Sequence, residues 1–146
     1  MGKRRIRRLQ GRQRKVKVGI LSKWNDFMIT PCSSPGNWRG KRWRLCNELI
    51  WRYGCMVFVI PAGFETDGAS IPRFYRWRFD PFGKWIRAAV IHDWLYSNVA
   101  AYTHIDRKAS DVAFRDLMKR ECVCCWTRTV IYYAVRIGGW LAFRKD

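Results

Sequence analysis

The spacing of apolar residues changes in the middle of this chain, and that change restricts the fold more than any other feature. Residues 42–60, in RWRLCNELIWRY followed by CMVFVI, alternate and are rich in aromatic and β-branched residues, which predicts a hairpin or meander. From residue 84 onwards the apolar positions follow helical spacing. Strands followed by helices predict an α+β domain, in which a small antiparallel sheet from the N-terminal half packs on about three C-terminal helices.

Turn and cap signals give approximate element boundaries. A strand is predicted at 24–30, before a Pro, Ser and Gly-rich loop at 31–41, and a short strand begins FETDGASIPR at 64–73. Helices are predicted at 84–98, from 107 to about 119 and from about 124 to 136. Asp106 is the expected N-cap of the second helix, and Gly138-Gly139 the expected end of the third. Because the third helix is apolar nearly all round, we expect it to be buried.

The first 17 residues are strongly basic and contain no acidic side chain. The chain has 29 Lys and Arg against 11 Asp and Glu, a net charge of +18, and half of that charge lies in this segment. We predict an arm at 1–17 and a single domain at 18–146. The candidate anion-binding residues of the arm are Lys3, Arg4, Arg5, Arg7, Arg8, Arg12, Arg14, Lys15 and Lys17. Such an arm binds nucleic acid or an anionic membrane surface, or it remains a solvated tail.

Trp and Arg alternate in the body of the chain, as in RWRL at 42–45 and RWRF at 76–79. Interleaved Arg and aromatic residues suit base stacking and phosphate contact. The same pattern describes strands with one buried aromatic face and one solvated Arg face, which is the interpretation we favour here. No apolar run is long enough for a membrane-spanning helix, and no apolar segment typical of a signal peptide follows the basic start.

The chain contains six cysteines, including the closely spaced Cys122, Cys124 and Cys125. With no secretion signal, we expect reduced thiols rather than disulfides. The C-x-C-C spacing is not typical of a zinc site, so the expected role is that of small buried residues on the last helix.

A candidate site for chemistry lies on the first two predicted helices. His92 and Tyr96 are four residues apart and therefore share a helix face. If the next helix packs antiparallel across the short connection, Asp111 faces His92. A carboxylate on one imidazole nitrogen fixes the tautomer and leaves the other nitrogen to deprotonate water. The candidate catalytic residues are His92, Asp111 and Tyr96, with Tyr96 supporting the carboxylate. The alternative is a buried, satisfied polar network with no catalytic role.

Asp93, beside His92, is a candidate ligand for a hard cation such as Ca²⁺ or Mg²⁺. Asp67, in the TDGASIP segment, is the candidate second ligand. Gly68, Ser70 and Pro72 are expected to make this segment a rigid loop behind the His92 helix.

The order of four motifs resembles a family of small uncharacterised phage and prophage proteins. These are IPAGFETDGASIPR (60–73), AAVIHDWLY (88–96), DRKASDVAF (106–114) and YYAVRIGG (132–139). The resemblance covers residues 42–140 and implies a phage origin, often among virion, tail or lysis genes. It implies no established activity.

The helical motifs alone are similar to the dyad of secreted and parvoviral capsid phospholipases, in which a His and a later Asp pair and the Asp beside the His binds Ca²⁺. That similarity implies His92 and Asp111 as the dyad, Asp93 as the metal ligand and Tyr96 as support. The Gly-rich calcium loop of those enzymes has no clear counterpart here.

Two functional hypotheses follow. In the first, a virion- or tail-associated protein carries a metal-assisted hydrolase site for a host envelope component. In the second, a non-enzymatic virion protein uses its arm to hold nucleic acid or a neighbouring virion protein. An intracellular effector acting on host nucleic acid is a third possibility.

We expect the protein in the host cytoplasm before assembly and then in the virion. A hydrolase needs His92 open to a groove, whereas a structural protein can bury it.

Overall fold

In the part of the chain that the structure describes, six short strands precede three helices, so the α+β class predicted from the sequence is confirmed. The computed structural model describes residues 16–32, 42–66, 83–97 and 103–142. The strands are β1 (Val18–Ile20), β2 (Ile29–Pro31), β3 (Trp43–Leu45), β4 (Leu49–Tyr53), β5 (Met56–Ile60) and β6 (Glu65–Thr66). The helices are α1 (Ile86–Tyr96), α2 (Arg107–Arg120) and α3 (Cys125–Ala142).

The strands form two antiparallel three-stranded sheets rather than one small sheet. One has the order β1-β4-β5 and the other β2-β3-β6. The β4–β5 hairpin is in the predicted place and turns at Gly54. Gly54 has a φ of 64°, a conformation that glycine adopts without the steric penalty other residues pay. The strand predicted at 24–30 is only partly correct. Trp24–Asp26 forms a 3₁₀ turn and pairing begins at Ile29, because β3 has only three residues and these pair with Ile29, Thr30 and Pro31.

The alternation of aromatic and basic residues in β4 corresponds to one buried and one exposed face, as expected. Trp51 is fully buried, whereas its neighbour Arg52 is exposed. The Trp51 ring stacks on Phe58 at 5.2 Å between centroids and meets Trp94 of α1 edge-on at 6.3 Å. This aromatic cluster therefore joins the first sheet to α1.

The first two helices run antiparallel and share a buried ion pair. Arg87, near the start of α1, contacts Glu121 just after α2, whereas Tyr96, at the end of α1, contacts Asp111 in α2. Two guanidinium nitrogens of Arg87 bind the Glu121 carboxylate at 2.7–3.0 Å, and a third donates to the Ser22 carbonyl at 2.7 Å. Both side chains of the pair are less than 10% exposed, so this bidentate contact fixes the two helices and the segment after β1.

Local signals at both ends of α2 match its boundaries. The Asp106 carboxylate accepts a hydrogen bond from the amide of Ala109, as expected of an N-cap. At the other end, the amide of Val123 donates to the Met118 carbonyl and Cys122 has a φ of 58°. This is the Schellman arrangement, in which glycine usually occupies the left-handed position.

The third helix differs from the expectation in two ways. It continues through Gly138-Gly139 to Ala142, and Trp126, Tyr133 and Ile137 on one face are 60–75% exposed. The central helix is α1 instead, with nine of its eleven residues buried. The difference arises because α3 packs against α2 on one side, whereas α1 lies against both α2 and β6.

The expectation that the last three cysteines are buried is also wrong. Cys122, Cys124 and Cys125 are all exposed free thiols. They occupy the turn between α2 and α3 and the first residue of α3, where the chain leaves the core.

None of the helices in the described part of the chain has the length and apolar character needed to cross a bilayer.

The Arg87–Glu121 pair provides a stability prediction. We expect Arg87→Met to lower the free energy of unfolding by about 3–5 kcal/mol, because Glu121 is then left buried without its partner. The double variant Arg87→Met with Glu121→Leu should recover much of that loss. The control is Arg44→Met, which removes the exposed partner of Glu65 and should change stability little. Urea unfolding of the variants measures these differences; equal losses for Arg87→Met and Arg44→Met would contradict the prediction.

Candidate active site

The candidate site lies where α1 faces α2. His92 and Tyr96 are one helical turn apart on α1, and Asp111 lies opposite them on α2. The Nε2 atom of His92 is 3.0 Å from Oδ1 of Asp111, so the predicted contact between these residues is present. The imidazole packs against the rings of Tyr96 and Phe114, at 4.2 and 4.7 Å between centroids. Both its orientation and its position are therefore held by packing.

Asp111 is completely buried and is hydrogen-bonded from three sides. Its Oδ1 accepts hydrogen bonds from Nε2 of His92 and from the Tyr96 hydroxyl, and its Oδ2 accepts one from Arg136 of α3 at 2.8 Å. Burial raises the pKa of Asp111, but the hydrogen bonds from His92, Tyr96 and Arg136 outweigh it and the net pKa is lowered. Burial and the neighbouring carboxylate together raise the pKa of Tyr96, which keeps its hydroxyl a donor. The carboxylate is thus ionised although it has no contact with water.

An ionised carboxylate only accepts hydrogen bonds, and this determines the His92 tautomer. The ring proton of neutral His92 lies on Nε2, facing Asp111, and Nδ1 carries the free lone pair. Among the described residues, Nδ1 has no hydrogen-bond partner. The side chain is 8% exposed, so little of the ring is open to solvent.

Two residues of the site were missed by the sequence analysis. Arg136 ties α3 to Asp111, and its peptide carbonyl accepts from Arg107 at 2.9 Å. Thr66 of β6 donates its hydroxyl to Asp93 on α1. A signal for Arg136 did exist, because a charged residue in an otherwise apolar helix usually has a buried partner. No comparable signal marks Thr66, whose place depends on how the second sheet packs against α1.

The proposed metal ligands are not brought together in the described part of the structure. Asp93 is half-buried and already accepts from Thr66. Asp67 and the loop residues Gly68, Ser70 and Pro72 lie outside the described residues. Within 16–32, 42–66, 83–97 and 103–142, no three His, Cys, Asp or Glu side chains are arranged to hold a metal ion. A cation at Asp93 stays a prediction.

Comparison with known proteins identifies a family. A family model described as a protein of unknown function, DUF1353, matches residues 43–135. The chain belongs to the DUF1353 family. No curated protein and no solved structure matches it significantly. The DUF1353 match includes His92, Asp93, Tyr96 and Asp111, and it ends one residue before Arg136. The expected membership of a small uncharacterised family is confirmed.

The predicted basic arm precedes the DUF1353 match, and all its candidate anion-binding residues except Lys17 lie outside the described residues. Lys17 is exposed, and its carbonyl accepts from the amide of Gly54 at 2.7 Å. The chain is therefore attached to the β4–β5 hairpin by residue 17, at the predicted boundary between arm and domain.

The lowered pKa of Asp111 predicts how stability depends on pH. Its contribution is fully present above the ordinary value of 3.8 and is lost as the pH falls through the lower pKa of the folded state. At pH 7, we expect Asp111→Asn to cost about 1–3 kcal/mol, because an amide has a single acceptor oxygen and its NH2 group would face donors that the second carboxylate oxygen binds. The difference between the wild type and the variant should shrink below about pH 4.

Chemical denaturation from pH 7 to pH 2.5 measures this difference. The control is Asp116→Asn, on the same helix but half-exposed, which should give a small difference at every pH. A difference for Asp111→Asn that is constant down to pH 2.5 would show that the carboxylate is not stabilised by its partners.

Proposed function

We propose that His92 is the general base of a hydrolase that acts on an ester or amide bond of a host envelope component, in a virion- or tail-associated phage protein. The observation that carries the hydrolase proposal is the Asp111 carboxylate, ionised and bonded to Nε2 of His92. The tautomer that results presents Nδ1 as a proton acceptor. The phage assignment is based on the sequence resemblance carried by the four motifs at 60–73, 88–96, 106–114 and 132–139.

In this proposal, His92 moves a single proton. Nδ1 takes the proton from a water molecule as the water oxygen attacks the substrate carbonyl carbon. The imidazolium then donates that proton to the leaving oxygen or nitrogen as the bond to it breaks. Asp111 stays ionised and stabilises the positive ring, as the carboxylate does in other His–Asp pairs. Arg136 moderates that effect, because it neutralises part of the charge on Asp111.

Asp93 lies on the same helix and is the residue that would hold Ca²⁺ or Mg²⁺ if the hydrolase is metal-assisted. Such a cation would polarise the substrate carbonyl. The described residues do not complete its coordination, so the proton transfer above is derived from His92 and Asp111 alone.

The burial of the site favours a second candidate function. His92 is 6% exposed and Asp111 is not exposed at all, as expected of a polar network that locks three helices together. In that case the protein is a non-enzymatic virion component, and its interactions with nucleic acid or neighbouring virion proteins involve the basic arm.

Substituting each histidine separately distinguishes the hydrolase from the non-enzymatic virion component. His92→Asn removes the general base, and His104→Asn is the matched control, because His104 is exposed and asparagine tolerates its positive φ of 54°. For a hydrolase, we expect His92→Asn to lower the turnover rate by about 10²–10⁴-fold, with His104→Asn unchanged. Suitable assays are fatty-acid release from phospholipid vesicles and fragment release from peptidoglycan, each with Ca²⁺, with Mg²⁺ or with chelator.

Thermal melts of the same variants complete the test. A wild type that turns over neither substrate, together with a clear loss of stability in His92→Asn, would contradict the hydrolase and support the structural function. Turnover that survives in His92→Asn would remove His92 from the mechanism.

The arm gives a separate prediction about the partner. Deleting residues 1–15 should change the melting temperature little, since the Lys17–Gly54 hydrogen bond remains. Binding to duplex DNA should weaken, and for the full chain log K should fall with log salt by about 0.9 for each phosphate contacted. Fluorescence anisotropy at several salt concentrations measures both effects. Equal affinity and equal salt slope for the deleted and full chains would exclude the arm as the anion-binding segment.

A further inference from the structure

An exposed apolar stripe runs along one side of α3. Trp126, Tyr133 and Ile137 are each at least 60% exposed. Because they are seven and four residues apart, they lie within about 40° of one another around the helix axis. The core side of α3 is buried through Ile131 and Val135. Large apolar side chains grouped on one face, unlike single scattered ones, mark an interaction surface.

A row of positive charge with the same spacing lies on α2. Lys108, Arg115 and Lys119 are exposed and are also seven and four residues apart, so they share one face of that helix. The half-exposed Asp116 offsets one of these charges, through a contact of 3.8 Å with Arg115. We call Lys108, Arg115 and Lys119 the basic stripe.

Aromatic contacts join the basic stripe to the apolar stripe. The guanidinium of Arg115 lies over the Tyr132 ring of α3, at 5.1 Å from the ring centroid. The Tyr132 ring in turn meets the Tyr133 ring edge-on, at 5.5 Å between centroids. Since Arg115 belongs to the basic stripe and Tyr133 to the apolar stripe, the two stripes are neighbouring parts of one surface.

The composition of this surface selects its partner. Residues 122–145 contain no acidic side chain, and the whole chain has a net charge of +18. A second copy on the apolar stripe would bring two basic stripes close together, which like-charge repulsion opposes. Nucleic acid would neutralise the basic stripe but offers little apolar surface to Ile137. An anionic bilayer satisfies both stripes, because its headgroups attract Lys and Arg while Trp, Tyr and aliphatic side chains enter the boundary beneath them.

We propose that the two stripes form a docking surface for an anionic phospholipid bilayer. The α3 helix lies in the plane of the interface, with Trp126, Tyr133 and Ile137 inserted beneath the headgroups. Lys108 and Lys119 of α2 contact lipid phosphates. The surface belongs to the folded domain and is separate from the predicted arm at 1–17. The proposal does not rest on the hydrolase, since it concerns binding and requires no turnover.

Vesicle sedimentation tests the proposal on the full chain. Sucrose-loaded vesicles contain phosphatidylcholine alone or an equal mixture of phosphatidylcholine and phosphatidylglycerol. Binding is measured at about 0.1 M and at about 0.5 M salt, because the higher concentration screens the exposed charges, including those of the arm. We expect the wild type to bind the mixed vesicles more tightly than the neutral ones.

Two double variants separate the apolar and basic contributions. Trp126→Gln with Ile137→Gln should lower the affinity for mixed vesicles about tenfold or more at both salt concentrations, because salt does not screen apolar burial. Lys108→Gln with Lys119→Gln should weaken binding mainly at the lower salt concentration.

The matched control removes exposed apolar surface elsewhere. Val57→Thr with Val59→Thr alters two half-exposed residues of β5 and keeps the β-branched shape, so it should bind vesicles as the wild type does. Thermal melts check that each variant is folded. If the α3 double variant melts early, Ile137→Gln alone carries the test, because Ile137 is 75% exposed, and it should lose affinity severalfold.

Four outcomes would overturn the proposal. One is equal affinity of the wild type and the α3 variant for mixed vesicles, and another is an equal loss in the β5 control. A loss of duplex DNA binding in the α3 variant with vesicle binding unchanged, measured by fluorescence anisotropy, would assign the surface to nucleic acid. A wild-type dimer that the α3 variant converts to a monomer, measured by sedimentation velocity, would assign it to a second copy.

Discussion

A buried negative charge organises the helical half of this protein. Asp111 has no contact with water, so its charge is tolerated only because His92, Tyr96 and Arg136 bind both of its oxygens. Two of these donors come from α1 and one from α3. The carboxylate therefore fixes how three helices meet, and the same contacts set the tautomer of His92. Structure and candidate chemistry depend on one group, which is why stability and turnover must be measured on the same variants.

Local patterns predicted most of the secondary structure. The β4–β5 hairpin, the Asp106 cap and the approximate bounds of α1 and α2 follow from alternation, turn residues and capping, which act over a few residues. The arrangement of the strands in two sheets was harder to predict from the sequence, because the pairing partner of a short strand depends on long-range packing. The pairing of β3 with β6, for example, joins residues more than twenty positions apart.

Local spacing also predicted part of the candidate site. The spacing of His92 and Tyr96 identified one face, and the short connection identified Asp111 as the opposite group. The contact of Thr66 depends on β6 reaching that face, which no local pattern encodes. A charged Arg136 on a largely apolar helix indicated a buried partner, but its local pattern did not identify Asp111 as that partner. The burial predicted for α3 was wrong because apolar residues all round a helix do not determine how many of its sides pack against other elements.

The Arg87 contacts have a consequence for the order of folding. They join α1 to Glu121, 34 positions later, and to Ser22, 65 positions earlier. Closing the longer loop costs more chain entropy, so we expect the hydrogen bond that Arg87 donates to the Ser22 carbonyl to form after the pair of Arg87 with Glu121. Contacts that are close in sequence also form sooner as a rule. The two helices would thus assemble first as a template, and the segment that follows β1 would dock onto it late, closing the domain.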